Sequence, residues 1–305
     1  MALLSCAPPR AGEWLKLLSE HVERDDNPEV WRILTHRLNW LSVCDRGGAN
    51  AFLERLFTRY PEALQWREGI LLLARVSWWA EESLVQGWVH SLNSSSWKHA
   101  RYAYGELVGF LGVRIPPVPW AEHELIALVE YPTEDAALTG AAHSVARWWT
   151  DSPFRITLTP HLLALIGRAG KDIDEAILKV LATDQIGADD SSAQILEAFV
   201  RRAGTFPIQQ ARRAVTWMTK LVHSYPQIVL NLCNVLLQCV ANESDATSKI
   251  GFSSKELVDL SITLQRIPGF LEQGLDLFEK LLELNLYGAR QILDEVDMSG
   301  RAYVQ

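Results

Sequence analysis

The chain has 305 residues, 48% of them hydrophobic and 22% charged, with a formal net charge of -8. Such a composition excludes a disordered chain, and the acidic balance argues against a general nucleic-acid binder, because phosphate contact needs clustered Lys and Arg. Length alone suggests about two domains.

The opening segment, "MALLSCAPPRAG", places Cys6 where a lipoprotein cleavage site would fall. It lacks a basic leader and its apolar run is too short for a signal peptide, so it is not read as one. Helical periodicity then takes over. In "EVWRILTHRLNWLSV", Val30, Ile33, Leu34, Leu38 and Leu41 recur at steps of three or four and predict one amphipathic face. Similar spacing appears in "AFLERLFTRY", "EESLVQGWVHSL", "HELIALVEY", "DEAILKVLA", "SAQILEAFVRRA", "ELVDLSITLQRI" and "GLDLFEKLLELNL". The two most apolar stretches, "GILLLARVSWWA" and "IVLNLCNVLLQCVA", are interrupted by Arg75 or by Asn231, Asn234 and Gln238. Each is shorter than the roughly 18 residues a membrane span needs, so no membrane partner is expected. The best strand candidate, "FRITLT" at Phe154 to Thr159, is read as an extended linker ahead of Pro160. The fold class is therefore all-α.

Helix starts are signalled by Asp26-Asn27-Pro28, Tyr60-Pro61, Ser94 to Ser96, Thr133-Glu134-Asp135, Thr159-Pro160 and Tyr225-Pro226. Ser, Thr, Asp and Asn accept bonds from first-turn amides, and proline is harmless at the first helical position. The longest interruptions are "VRIPPVPW", "DQIGADDSS" and "ANESDATSKIGFSS". The last suggests a division into residues 1–241 and a C-terminal helical cap at 242–305, after a polar loop near 242–254. The aromatics Trp40, Trp78, Phe110 and Trp148 fall at steps of 38, 32 and 38 residues. That recurrence suits stacked antiparallel hairpins, each completing its neighbour's core, as in an α-solenoid.

The segment Ala100-Arg101-Tyr102-Ala103-Tyr104-Gly105-Glu106-Leu107-Val108-Gly109-Phe110-Leu111-Gly112 resembles the second helix of a HEAT repeat. Ala103, Gly105 and Gly109 would let adjacent helices approach closely, and Gly112 would suit a left-handed helix stop. "PEVWRILTHRLNWL" and "EDAALTGAAHSVARWW" look like degraded copies. The resemblance implies a HEAT/armadillo-like solenoid over residues 1–241 and assigns no chemistry. It also implies that Arg101 and its counterparts Arg37 and Arg147 lie near a binding ridge. "GLDLFEKLLELNLYGARQILDEVD" resembles the helical sensor arms of bacterial STAND-type NTPases used in phage defence.

Motifs for chemistry are weak. "GRAGKD", Gly167 to Asp172, lacks the upstream glycine and the Ser or Thr of a phosphate loop, and is read as a helix stop with a solvated lysine. His123 sits between Glu122 and Glu124, but consecutive helical positions diverge by about 100° and cannot converge on one metal. Cys6, Cys44, Cys233 and Cys239 have no CxxC spacing, which suits reduced thiols in a cytoplasmic protein without a zinc site or disulfides. The paired acids Glu81-Glu82 and Asp189-Asp190 are read as favouring helix starts. No cofactor, metal or catalytic residue is expected, and the chain is not read as an enzyme.

Two features remain. "VRRAGTFPIQQARRAV" places Arg201, Arg202, Arg212 and Arg213 at two helix ends, a candidate patch for an anion or an acidic partner and the one place where nucleic acid could bind. The doublets Trp78-Trp79 and Trp148-Trp149 cannot both face inward, so Trp79 and Trp149 join Arg37, Arg101 and Arg147 as expected partner-binding residues. The expectation is a non-catalytic interaction scaffold for another protein within a larger complex. The alternative is an accessory or sensor subunit of an NTP-driven anti-phage defence complex that recognises a foreign protein or nucleic acid.

Overall fold

In the computed structural model the described residues are 10–131, 135–168, 170–182, 187–202, 211–242, 254–285 and 288–291. Their regular secondary structure is helical, with no strand among them. The chain divides into two compact units, Met1–Ser144 and Val145–Gln305. The predicted loop at 242–254 lies almost wholly outside the described residues.

Unit 1 contains α1 (Ala11–His21), α2 (Pro28–Thr35), α3 (Arg46–Arg59), α4 (Arg67–Val76), α5 (Glu82–Asn93), α6 (Lys98–Val113), α7 (Pro119–Glu130) and the start of α8 (Asp135–Trp149). Short 3-10 helices at Leu38–Val43 and Pro61–Gln65 join α2 to α3 and α3 to α4. Starts follow capping chemistry. Asn27 Oδ1 accepts the Glu29 amide at 3.1 Å with Pro28 in the first turn, and Asp45 Oδ2 accepts the Gly48 amide at 2.8 Å. Each such cap stabilises its helix by about 1 kcal/mol. Helices pack on adjacent and next-but-one neighbours alike: α5 meets α6 and α6 meets α7, while α1 also meets α3, α2 meets α4, and α4 meets α6.

The face of α2 differs from the expectation. Trp31 and Thr35 are buried with Leu38 and Leu41, whereas Val30 is exposed and Ile33 is 58% exposed. The α-helix stops at Thr35 and the chain tightens into a 3-10 helix, so a single 3.6-residue period across residues 29–43 picks the wrong stripe at its start. Trp31 decides the face by size, lying against Phe52 and Tyr60 with ring centroids 6.3 and 6.1 Å apart.

Helix α6 is the centre of unit 1. Ala100, Ala103, Tyr104, Leu107, Val108 and Leu111 are buried, and full burial of a Leu or Val side chain contributes about 1.5–3 kcal/mol. Its glycines are sites of close approach. A Cβ on Gly105 would lie 1.7 Å from the Ala137 carbonyl oxygen, and one on Gly109 would lie 3.0 Å from that of Ala141. The approach is reciprocal, since a Cβ on Gly140 of α8 would lie 2.0 Å from the Tyr102 carbonyl oxygen. Gly112 corrects the sequence reading. It lies inside α6 with no left-handed backbone, and its role is again closeness, to the Ala121 carbonyl of α7.

Unit 2 holds the end of α8, a 3-10 turn at Ser152–Phe154, and α9 (Arg155–Gly167), α10 (Lys171–Leu181), α11 (Asp190–Val200), α12 (Ala211–Leu221), α13 (Pro226–Asn242), α14 (Ser254–Gln265) and α15 (Leu271–Glu283). Packing again combines both kinds of neighbour: α9 with α11, α10 with α12, α11 with α13, α12 with α14 and α13 with α15 across one helix, and α9 with α10, α12 with α13 and α14 with α15 in sequence. Helix α12 shows the cause. Ala211, Ala214, Val215, Trp217, Met218 and Leu221 form one buried stripe at helical spacing, while Arg212 and Thr219 remain exposed. After α15, Asn285 takes a left-handed backbone at φ 54, which Asn tolerates better than most residues.

"FRITLT" is the clearest correction. Residues 155–159 are the first turns of α9, not a linker, and Pro160 lies inside that helix rather than opening one. Two details make this tolerable. Thr159 Oγ1 donates to the Arg155 carbonyl at 2.6 Å and accepts from the Trp149 indole at 2.9 Å, fixing the inner side. Ile156, whose carbonyl loses its amide partner to Pro160, is 84% exposed and open to water. An interior proline still costs about 3 kcal/mol, partly offset by the stiffer unfolded chain. Pro160→Ala should therefore stabilise unit 2 by about 2 kcal/mol in urea unfolding followed by circular dichroism. A destabilised variant would contradict this account.

Candidate functional site

The polar ties of both units share a register. Arg46 Nη2 donates to the Ala80 carbonyl at 3.0 Å, 34 residues on, and Arg114 Nη1 to the Ser77 carbonyl at 2.9 Å, 37 residues back. Arg59 with Asp26, Tyr60 with the Asp25 carbonyl and Arg75 with Asn39 are separated by 33, 35 and 36 residues. In unit 2, Arg202 reaches the Ile166 carbonyl across 36 residues, and Arg213 and Lys220 reach Glu175 and the Ala182 carbonyl across 38. Other ties among the described residues depart from this, among them Tyr104 with Glu124 at 20, Arg202 with Asp174 at 28 and Lys280 with Asn234 at 46. Of the aromatics spaced in the sequence, Trp78 and Phe110, 32 residues apart, meet edge to face at 6.0 Å.

The expected partner-binding residues separate into two groups. Arg37 and Arg147 are exposed, and Trp79 is half-buried. Arg101 is half-buried, with Nη1 donating to the Ser95 carbonyl at 3.1 Å, so it closes the turn before α6. Trp149 is a correction. It is fully buried, its indole bonded to Thr159 and its ring 5.2 Å under the Arg155 guanidinium, so it packs the start of unit 2. In the other doublet the outward member is Trp78, 55% exposed. Divergence of adjacent helical positions is a sound argument, but it does not say which member turns inward.

The arginine cluster is also divided by the structure. Arg202 forms a two-point pair with buried Asp174, at 2.5 and 2.8 Å, and Arg213 pairs with Glu175 at 3.2 Å. Arg201 and Arg212 are exposed. Residues 203–210 between them lie outside the described residues. Burial holds the Asp174 carboxyl above the ordinary carboxylate value, against the pull of Arg202. Near the start of the unit, Arg155 is buried and spends its donors on Asp189 at 2.7 Å and the carbonyls of Trp149, Thr150 and Gly187. Burial would raise Asp189, but Arg155 and the amide and hydroxyl of Ser192 together hold it below its usual value. Asp189 thus caps α11, as its position at a helix start suggests, and also anchors Arg155.

Titratable groups elsewhere are committed to structure. Glu124 accepts from buried Tyr104 at 2.5 Å and lies 3.2 Å from His90, so it is not gathered with His123, which is exposed. Burial and then Glu124 push the Tyr104 hydroxyl well above its usual value. No group of three metal-ligating side chains occurs among the described residues. Cys233 is buried and its thiol is pushed up to about 12. Gly167 ends α9, and Gly170 precedes α10 with Lys171 exposed, the helix–turn–helix setting expected for "GRAGKD".

One recess in unit 1 gathers groups that the sequence reading did not combine. At the turn between α4 and α5, a pocket of about 210 Å³ is lined by Arg46, Ser77, Trp78, Ala80, Glu82, Val85, Leu111, Arg114, Val118 and Trp120. The Arg114 guanidinium lies 4.6 Å over the Trp78 ring. Burial pulls it below its usual value, against the opposing influence of Glu82. The signal available in sequence was weak, since Arg46, Trp78 and Arg114 stand 32 and 36 residues apart with no motif around them. No helix among the described residues is long and apolar enough to cross a membrane.

No protein-family model matches the chain, and comparison with curated proteins and with solved structures gives no significant match. The likeness of residues 100–112 to a HEAT-repeat helix therefore rests on those residues alone.

Proposed function

We propose that this chain is a non-catalytic α-solenoid scaffold that binds another protein. The observation that carries this is the shared register: helices pack on both adjacent and next-but-one neighbours, and side-chain ties recur across 32 to 38 residues in both units. Stacked helical hairpins of one repeat length produce that pattern, and arrays of this kind offer extended surfaces to partners. Support for binding comes from large apolar side chains left in water on unit 1, Trp78, Trp97 and Tyr131 among them. Trp, Tyr and Arg are the residue types that anchor interfaces.

The test is affinity purification with mass spectrometry of the wild-type chain and of Arg37→Glu, Arg101→Glu and Arg147→Glu. A specific protein should be recovered with the wild type and lost by about tenfold with at least one variant, a change of about 1.4 kcal/mol, with helical content unaltered. Equal recovery by all three variants would count against the ridge. An NTPase as the recovered protein would assign the accessory-subunit role of a defence complex instead.

A further inference from the structure

The pocket at the α4–α5 turn is one-sided in its chemistry. Arg46 and Arg114 each hold a backbone carbonyl, Ala80 and Ser77, and neither is in an ion pair with a carboxylate among the described residues. Each hydrogen bond uses one of the five donors that a guanidinium carries. The bonds to carbonyls fix the two forks in place without neutralising them. The lining holds one carboxylate, Glu82, which is exposed. Trp78 supplies an exposed apolar wall and is itself held by Arg114 on its face and Phe110 at its edge.

We infer that this pocket seats a single carboxylate side chain, Glu or Asp, of a protein partner, with the acid between Arg46 and Arg114 and its methylenes against Trp78. The inference rests on the partner-binding reading above and names the chemistry by which unit 1 recognises its partner. Size supports one side chain: about 210 Å³ is smaller than the roughly 300–1,000 Å³ of sites that enclose a small molecule. Charge supports a carboxylate, because planar guanidinium forks match its two oxygens. The methylene stem of Glu or Asp, which phosphate lacks, adds contact with the exposed Trp78 ring and favours a carboxylate side chain over phosphate.

The probe is the capped dipeptide acetyl-Glu-Glu-amide, titrated into the whole chain with its tryptophan indoles labelled for NMR and the Trp78 signal assigned from Trp78→Phe. Acetyl-Gln-Gln-amide and inorganic phosphate, at matched ionic strength, are the comparison arms. The Glu peptide should shift the Trp78 and Trp120 indole signals saturably, and the Gln peptide should not. Arg114→Gln and Arg46→Gln should each weaken binding by about tenfold, and Glu82→Gln should tighten it several-fold, since each change removes or relieves a charge-assisted contact. Two arginine variants and an unchanged circular dichroism spectrum guard against a folding defect. The assignment is overturned by no shift at roughly 10 mM peptide, weaker than any useful docking contact. It is equally overturned by an equal response to the Gln peptide, by phosphate binding more tightly than the Glu peptide, or by unchanged binding in both arginine variants. The two readings fail separately. A pocket that takes the Glu peptide in a chain that captures no protein retires the scaffold reading. A partner held equally well by both arginine variants retires the pocket.

Discussion

Gly105→Ala should lower the unfolding free energy by about 3 kcal/mol, the upper part of the range for overpacking a well-filled interior. At about 2.1 cal/mol/K of unfolding entropy per residue, that corresponds to a midpoint lowered by about 5 °C for cooperative unfolding of the chain. The added methyl would sit 1.7 Å from the Ala137 carbonyl oxygen and 2.6 Å from its carbon, so backbone must move, since no side chain can rotate away. Gly140→Ala meets the Tyr102 carbonyl in the same way from the opposite helix. Because one methyl already forces α6 and α8 apart, the double variant should lose less than the two single losses combined. Gly87→Ala, with open space around its Cβ on α5, is the control and should gain about 0.5–1 kcal/mol. Urea unfolding of the four variants and the wild type, followed at the helical circular dichroism band, decides the matter. A Gly105→Ala protein as stable as the wild type would show that α6 and α8 do not meet this closely.

Arg202→Met should cost about 3–5 kcal/mol at neutral pH, because it strands a buried charge. The Asp174 side chain is 1% exposed and that of Arg202 is 10% exposed, so little water replaces the lost guanidinium. Asp174→Leu combined with Arg202→Met should recover most of the loss, since replacing both partners with apolar groups removes the unpaired charge. The pH dependence has a definite sign. Burial already raises the folded pKa of Asp174 above 3.8, and losing Arg202 removes the main opposing influence. A carboxyl raised on folding destabilises the fold above that raised value, and the penalty shrinks as pH falls towards 3.8, where the unfolded chain binds the same proton. The single variant should thus approach the wild type on acidification. Asp189 acts in the opposite sense. Its depressed folded pKa contributes stability present above 3.8 and lost as pH falls through the folded value. A pH-independent deficit in Arg202→Met would refute the stranded-charge explanation.

How much the sequence discloses depends on whether a feature is local. Helix identity, the caps at Asn27 and Asp189 and the close approaches at Gly105 and Gly109 follow from periodicity and from the properties of single residue types. Errors arise where a neighbour outvotes local preference. Pro160 is tolerated in α9 because Thr159 is tied to Trp149 on one side and Ile156 faces water on the other, neither of which is written in "FRITLT". Which member of a tryptophan doublet turns inward is chosen by what lies opposite: Thr159 and Arg155 hold Trp149 inside, whereas Trp78, the outward member of its doublet, lies beside Phe110 and Arg114. The pocket was the least legible feature, because it joins the start of α3, the end of α4 and the end of α6 through side chains that are unremarkable where they stand.

The shared register also bears on how the chain acquires its order. Ties between residues 32 to 38 apart close loops of nearly one size, and the entropy lost in closure rises only slowly with loop length. No tie of that length waits for a distant end of the polypeptide, so each stretch can settle on the one just made as it leaves the ribosome. Assembly by short reaches of this kind favours rapid folding over the slow search that remote pairings demand.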